Sequence, residues 1–232
     1  MLIHRRWESL DRADLGWLRA KHHFAVSADG NPAHGALGPL IVWNDDEIAI
    51  GSGFPMHGHR DMEIVTYVRQ GLLGHRDTLG SEGAIHAGDV QVMSAGTGIR
   101  HSEHNEGDTP IRLFQIWLRP SQPGGEPRWG NKPFPRTDRA GAFIPLASGR
   151  NAPGALPIRT DAEVSGAMLN AGSETTYNFK AGDAAYLVPA TGEIEVNGKR
   201  IEAREGLVIR EESAVTIKAL EDSEVVLIVT AA

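Results

Sequence analysis

From Leu40 onward the chain is a succession of short runs rich in β-branched and aromatic residues, each closed off by glycine or by a polar turn. PLIVWNDDEIAIGSG, MHGHRDMEIVTYVRQG, AIHAGDVQVMSAGTGIRHSEHN and RLFQIWLRP follow one another in the first half. AAYLVPATGEIEVNGKRIEAREGLVIREESAVTIKALEDSEVVLIVT continues the pattern in the second. Side chains of this kind fit a pleated, half-buried surface, so the expected class is all-β. Leu40 to Trp43 and Glu47 to Ile50 read as two strands of a hairpin turning at Asn44, Asp45 and Asp46, and Asn197-Gly198 reads as a two-residue hairpin turn. Helix is expected only briefly within Ser9 to Leu18, where Ser9 or Asp11 can cap a short turn.

Eight of the thirteen prolines lie between Pro120 and Pro157, a concentration that disfavours regular structure and marks a connection between halves. On either side the order of elements repeats: strand, Gly71, strand, loop, Gly88-Asp89, strand, and then strand, Gly192, strand, Asn-Gly turn, Glu205-Gly206, strand. The expected division is therefore 1–120, a connection over 121–157, and 158–232, with N-terminal strands available to cross over and complete the last part. A formal charge of -7 argues against direct nucleic-acid or membrane-surface binding, which draws on clustered Lys and Arg. The basic residues Arg119, Arg128, Lys132, Arg136, Arg139 and Arg150 are spread along the connection and read as solvated charges. With no cysteine, and no apolar core of signal-peptide length in MLIHRRWESLDRADLGW, a soluble cytoplasmic protein is expected.

All ten histidines fall within the first 104 residues, and two pairs have a common spacing, His57 with His59 and His101 with Glu103. Side chains two apart on a strand point to one face of a sheet, so two such strands facing each other make a four-ligand pocket. Three imidazoles and a carboxylate, without thiolate, suit a divalent transition metal, whether iron, manganese, nickel, cobalt, copper or zinc, and do not choose among them; iron is the first expectation only with the family resemblance set out below. Glycines crowd both pairs, in GSGFPMHGHRDME and AGTGIRHSEHN, as at the mouth of a barrel. His75, His86 and His104 read as ordinary surface or hydrogen-bonded histidines. His4, His22, His23 and His34 lie outside any ligand spacing, with His23 alone able to approach the pocket from an N-terminal segment folded across it.

The segment from Gly51 through His57, His59 and Glu63 follows the first cupin motif, with Gly71 one residue late. The second motif keeps Gly88, has Ser94 in place of the usual proline, and delays His101 by two residues before Asn105. With those departures, and with GWLRAKHHF, WNDDEI, HGHRDMEIVTY and MSAGTGIRHSEHN, the chain resembles the pirin family over nearly its whole length. The resemblance implies a bicupin of two jelly-roll-like β-barrels, and one metal in the N-terminal barrel held by His57, His59, His101 and Glu103. Glu63 keeps the cupin spacing, but the family takes its carboxylate from Glu103, so Glu63 is expected to stand behind the ligands or to play a structural part. Where the family usually continues Ser-Phe after His22-His23-Phe24, this chain has Ala25-Val26 and the loop SADGNPAHGALG, a place for substrate preference to diverge.

Bacterial members of this kind are associated with quercetin 2,3-dioxygenase activity. The implied reaction opens the heterocyclic ring of a flavonol with O2 and releases carbon monoxide, with Glu103 as both ligand and general base. The partners would be an aromatic, flavonol-like small molecule and O2, and a monomer is expected. The alternative the family offers is a metal-containing redox sensor or interaction protein, acting with transcription machinery or metabolic enzymes through a protein partner and with little turnover. No phosphate-binding glycine loop, Gly-x-Ser-x-Gly elbow or cysteine nucleophile offers a competing chemistry.

Overall fold

The computed structural model describes residues 1–231, which form two units. One comprises Asp11–Phe134 with Leu156–Thr160; the other comprises Met1–Leu10, Pro135–Ala155 and the residues from Asp161 on. Among the described residues there is no α-helix, only strands and three short 3-10 turns.

The first unit is a sandwich of two antiparallel sheets. Seven strands follow the order Arg128–Pro133, Asp89–Ser94, Glu63–Gln70, Ile111–Leu118, Leu40–Ile48, Leu18–His22, Asp11–Asp14, and four follow the order Gly53–His59, Ile99–Asn105, Leu72–Asp77, Glu82–His86. Alternate residues of both sheets meet in one core of Leu18, Ala20, Ile48, Val68, Leu73, Ile85, Ile111 and Leu113. Burying each large aliphatic chain there contributes roughly 1.5–3 kcal/mol. The second unit has the same plan, and Leu2–Arg5 pairs with Gly206–Arg210 within it. Its core gathers Leu187, Leu207, Ile209, Ile217, Val225, Leu227 and neighbours. The Asn197-Gly198 turn joins Ile194–Val196 to Lys199–Ile201 with φ of 45° and 80°, the double positive φ of a tight hairpin.

Two local expectations are corrected. Leu40–Ile48 is one continuous strand rather than a hairpin. Asn44, Asp45 and Asp46 are held in the ladder by Gln115, Phe114 and Leu113 on one side and by His22, Lys21 and Ala20 on the other, and Asp45 is paired with Arg69. Ladder bonds on both edges override the turn preference of three polar residues. Between Ser9 and Leu18 the chain makes a hairpin of Asp11–Asp14 with Leu18–His22, not a helix, because Gly16 takes φ 80° and its N–H donates to Asp14 Oδ1 at 2.9 Å. The proline-rich stretch also carries strands: Arg128–Pro133 lies on Asp89–Ser94 in the first unit, and Ile144–Ser148 on Ala162–Leu169 in the second.

Candidate metal centre

His57 and His59 alternate with exposed neighbours on Gly53–His59, and His101 lies opposite His57 on Ile99–Asn105. Opposite the step from His101 to Glu103 the strand Gly53–His59 carries one extra residue, a bulge between Phe54 and His57, while the pairing of Ile99–Asn105 with Leu72–Asp77 is unbroken. The two strands approach so closely there that a Cβ on Gly53 would stand 2.1 Å from the Glu103 carbonyl oxygen, so only glycine fits.

One nitrogen each of His57, His59 and His101 lies within 4.8 Å of the others. His57 Nδ1 donates to the Pro55 carbonyl at 2.8 Å, which leaves Nε2 as the lone-pair nitrogen, and this Nε2 faces His101 Nε2 at 3.1 Å. His59 Nε2 is buried with no hydrogen-bond partner. Burial, and then the neighbouring His57, push the His59 imidazole down to about 4; burial and then His57 and His59 push His101 down to about 3. His59 and His101 are therefore neutral in ordinary solution, and with His57 they bring three ring nitrogens together, one of them buried and unpaired, which is the donor set a transition metal takes. The residues present fit the metal that the sequence implies.

Glu103 stands with a second group. One of its oxygens, with a nitrogen of His75 and of His101, falls within the same 4.8 Å, so His101 is shared between the two clusters. Glu103 is 1% exposed, and burial drives its carboxyl up to about 7 against the opposing pull of hydrogen bonds from Gln91 and Gln115. Gln91 Nε2 donates to Oε1 and Gln115 Nε2 to Oε2. Each amide is oriented in turn, since Trp129 Nε1 donates to Gln91 Oε1 at 2.9 Å and Trp117 Nε1 to Gln115 Oε1 at 3.0 Å. Trp117 also stands edge-on to His59 at 5.0 Å. An open groove of about 310 Å³ runs past His59 between Arg60 and Arg100.

The structure thus brings His57, His59 and His101 together and joins Glu103 to them through His101. Glu63 does not join them: it is buried and accepts from Ser94 Oγ at 2.7 Å and from the Arg159 N–H at 3.0 Å. Strand parity does not carry from His59 to Glu63, because Asp61 turns the chain with φ 50°. His86 and His104 are exposed, His4 pairs with Glu205 in the other unit, and His23 packs beside Trp43. His75, expected as an ordinary surface or hydrogen-bonded histidine, is hydrogen-bonded to Asp77 but lies in the centre, and Trp129, Gln91 and Gln115 were not singled out by the sequence. His75-x-Asp77 has the same i, i+2 spacing as the ligand pairs and was the available signal. The indole of Trp129 lay hidden in a stretch read as connection.

Residues 5–118 match the profile of the family described as Pirin, and residues 145–228 match that described as quercetinase C-terminal cupin domain. A pirin-like protein of Caulobacter vibrioides is 54% identical over 98% of this chain and 99% of its own length. A protein of Escherichia coli K12 named quercetin 2,3-dioxygenase is 35% identical over 98% of this chain and 97% of its own. The crystal structure of the E. coli bacterial pirin YhhW in complex with nickel(II) superposes with a TM-score of 0.93 at 33% identity, covering 100% of this chain and 99% of that one. Matched along nearly its full length in sequence and in the pairing of its sheets, the chain belongs to the pirin family, with the bicupin fold of that family.

Proposed function

We propose that this chain is a metal-dependent dioxygenase that opens the heterocyclic ring of a flavonol-like substrate with O2 and releases carbon monoxide. The observation that carries this reading is the meeting of three histidine ring nitrogens with the buried carboxyl of Glu103 beside them. His57, His59 and His101 would hold the metal, with Glu103 completing the set. A divalent transition metal, iron or the nickel seen in the E. coli relative among the candidates, supplies Lewis acidity toward a chelating enol and a route for electrons to dioxygen.

The remaining work falls to the chain's own groups. Glu103, buried beside the three histidines with no other carboxylate in their cluster among the described residues, removes the substrate's 3-hydroxyl proton. Gln91 and Gln115 hold both Glu103 oxygens in place for that transfer. Both atoms of O2 enter the product, the ring carbon bearing the hydroxyl leaves as carbon monoxide, and Glu103 returns its proton to the ring-opened product. We also propose that the protein works as a cytoplasmic monomer.

The test is aerobic loss of quercetin absorbance by protein reconstituted separately with iron, manganese, nickel, cobalt, copper and zinc, with His101→Ala as control. Turnover with at least one metal that vanishes in His101→Ala is the expected result. Stoichiometric loading without turnover by any metal would overturn the oxygenase reading and favour a sensing or interaction role.

A further inference from the structure

His75 and Asp77 take no part in the reaction just described, yet they are built into the centre with care. The strand Leu72–Asp77 lies against Ile99–Asn105, setting His75 opposite Glu103 and Asp77 opposite His101. His75 is 1% exposed and His101 2%. Trp129 stacks on the His75 ring at 4.6 Å and 9°, and the indole occupies the space a Cβ would need at Gly83, 2.3 Å away. The ring is clamped by its surroundings.

Its tautomer follows from its partners. Asp77 Oδ1 accepts the backbone N–H of Leu79 at 2.8 Å and of Ser81 at 3.0 Å, while Oδ2 meets His75 Nε2 at 3.0 Å. A carboxylate only accepts, so Nε2 of His75 carries the hydrogen and Nδ1 keeps the lone pair. On His101 the assignment would be opposite with a metal held by the three histidines: Nε2, 3.1 Å from His57 Nε2, would turn its lone pair to the metal and leave the hydrogen of the neutral ring on Nδ1. Both nitrogens that remain, His75 Nδ1 and His101 Nδ1, are buried and have no hydrogen-bond partner. One is an acceptor and the other a donor, on rings whose centroids are 5.4 Å apart. Leaving either alone costs about 1–3 kcal/mol, which a hydrogen bond from one to the other would remove.

We infer that His75 accepts the Nδ1 hydrogen of His101, so that Asp77, His75 and His101 form a relay that fixes the His101 tautomer and aims its Nε2 at the metal. The inference rests on the reading of His57, His59 and His101 as ligands. His75 is a positioning residue in this account, acting through His101, and Asp77 sets its polarity. A carboxylate behind an imidazole ordinarily makes that ring a better ligand; here the carboxylate acts through an intervening ring.

The experiment uses the full-length chain loaded with zinc, which is diamagnetic. A two-bond 1H–15N correlation spectrum of histidine-labelled protein reads which ring nitrogens carry hydrogen. The expected result is hydrogen on Nε2 of His75 and on Nδ1 of His101. Asp77→Asn keeps an acceptor for Leu79 and Ser81 but presents an NH2 to His75, which must then reverse its tautomer and turn a donor toward His101. His75→Phe keeps a ring against Trp129 and removes the acceptor. Each substitution is expected to weaken zinc binding by roughly 10- to 100-fold in a chelator competition, with circular dichroism unchanged. His75→Gln, whose Oε1 can accept, should recover part of the loss. A wild-type spectrum with hydrogen on His75 Nδ1 would overturn the relay, as would affinities within about threefold of wild type for both variants. Failure of the wild-type chain to bind zinc would instead overturn the ligand reading itself.

Discussion

The orientation of Glu103 depends on an indole two strands away, and Trp129→Phe isolates that dependence. The substitution retains a ring against His75 but deletes the Nε1–H that donates to Gln91 Oε1 at 2.9 Å. Gln91 is 2% exposed, so its oxygen is left without water as well as without the indole. Its amide cannot turn over to repair the loss, because Nε2 is donating to Glu103 and the flipped oxygen would face a carboxylate. The orphaned acceptor costs about 1–3 kcal/mol, and the smaller ring adds roughly 1 kcal/mol of lost packing. For a chain of this size, that total of about 2–4 kcal/mol lowers the melting temperature by roughly 4–16 °C. Urea unfolding with an unchanged m-value measures the same quantity. The hydrogen-bond part is separated by a double-mutant cycle with Gln91→Leu: where no Oε1 exists, Trp129→Phe should cost only the packing part, a coupling of about 1 kcal/mol or more. A Trp129→Phe midpoint equal to wild type, or zero coupling, would refute the chain of contacts from Trp129 to Glu103.

Further consequences follow from the same contacts. Glu103→Gln should retain stoichiometric metal by elemental analysis while turnover falls by roughly 10²- to 10⁴-fold, the usual range for a lost general base; unchanged turnover would remove that role. Metal-free protein should lose stability as pH falls from about 6.5 toward 3, because the unfolded chain protonates His59 and His101 over this window while the folded chain holds them neutral at about 4 and about 3. Urea midpoints across the window should fall less steeply for His101→Gln, and an identical slope would contradict the assignment. Asp46 is buried with Oδ1 unpartnered, and burial raises its carboxyl well above the usual range. Its folded form therefore loses stability as pH rises past the unfolded value of about 4. Asp46→Asn should be more stable than wild type at neutral pH and lose that advantage in acid, and a destabilised variant at neutral pH would refute the argument.

Much of the site was legible because a strand has a fixed period. His57 and His59 had to share a face, as did His101 and Glu103, and the glycines around them allowed tight turns; the cross-strand pairing of His101 with His57 then follows from the sheet. What parity could not supply is where a strand bends. Asp61 breaks the run between His59 and Glu63, and an extra residue on Gly53–His59 leaves Phe54 opposite Glu103, whose unbroken pairing with Leu72–Asp77 sets it opposite His75. The all-β class was readable from composition and punctuation. The fate of Asn44 to Asp46 was not, because a polar triplet turns at a free edge and stays extended when both edges are paired. Trp129 shows the same limit: prolines marked its surroundings as irregular, and only the exposed edge of Asp89–Ser94 made them a strand.

The most direct test of the oxygenase account is the stoichiometry of a closed reaction: metal-loaded protein, a flavonol and measured O2, with carbon monoxide quantified in the headspace. One O2 consumed and one carbon monoxide released per flavonol lost, abolished in His101→Ala, is the predicted result. Flavonol loss without carbon monoxide, or equal loss with His101→Ala, would contradict ring opening at this centre.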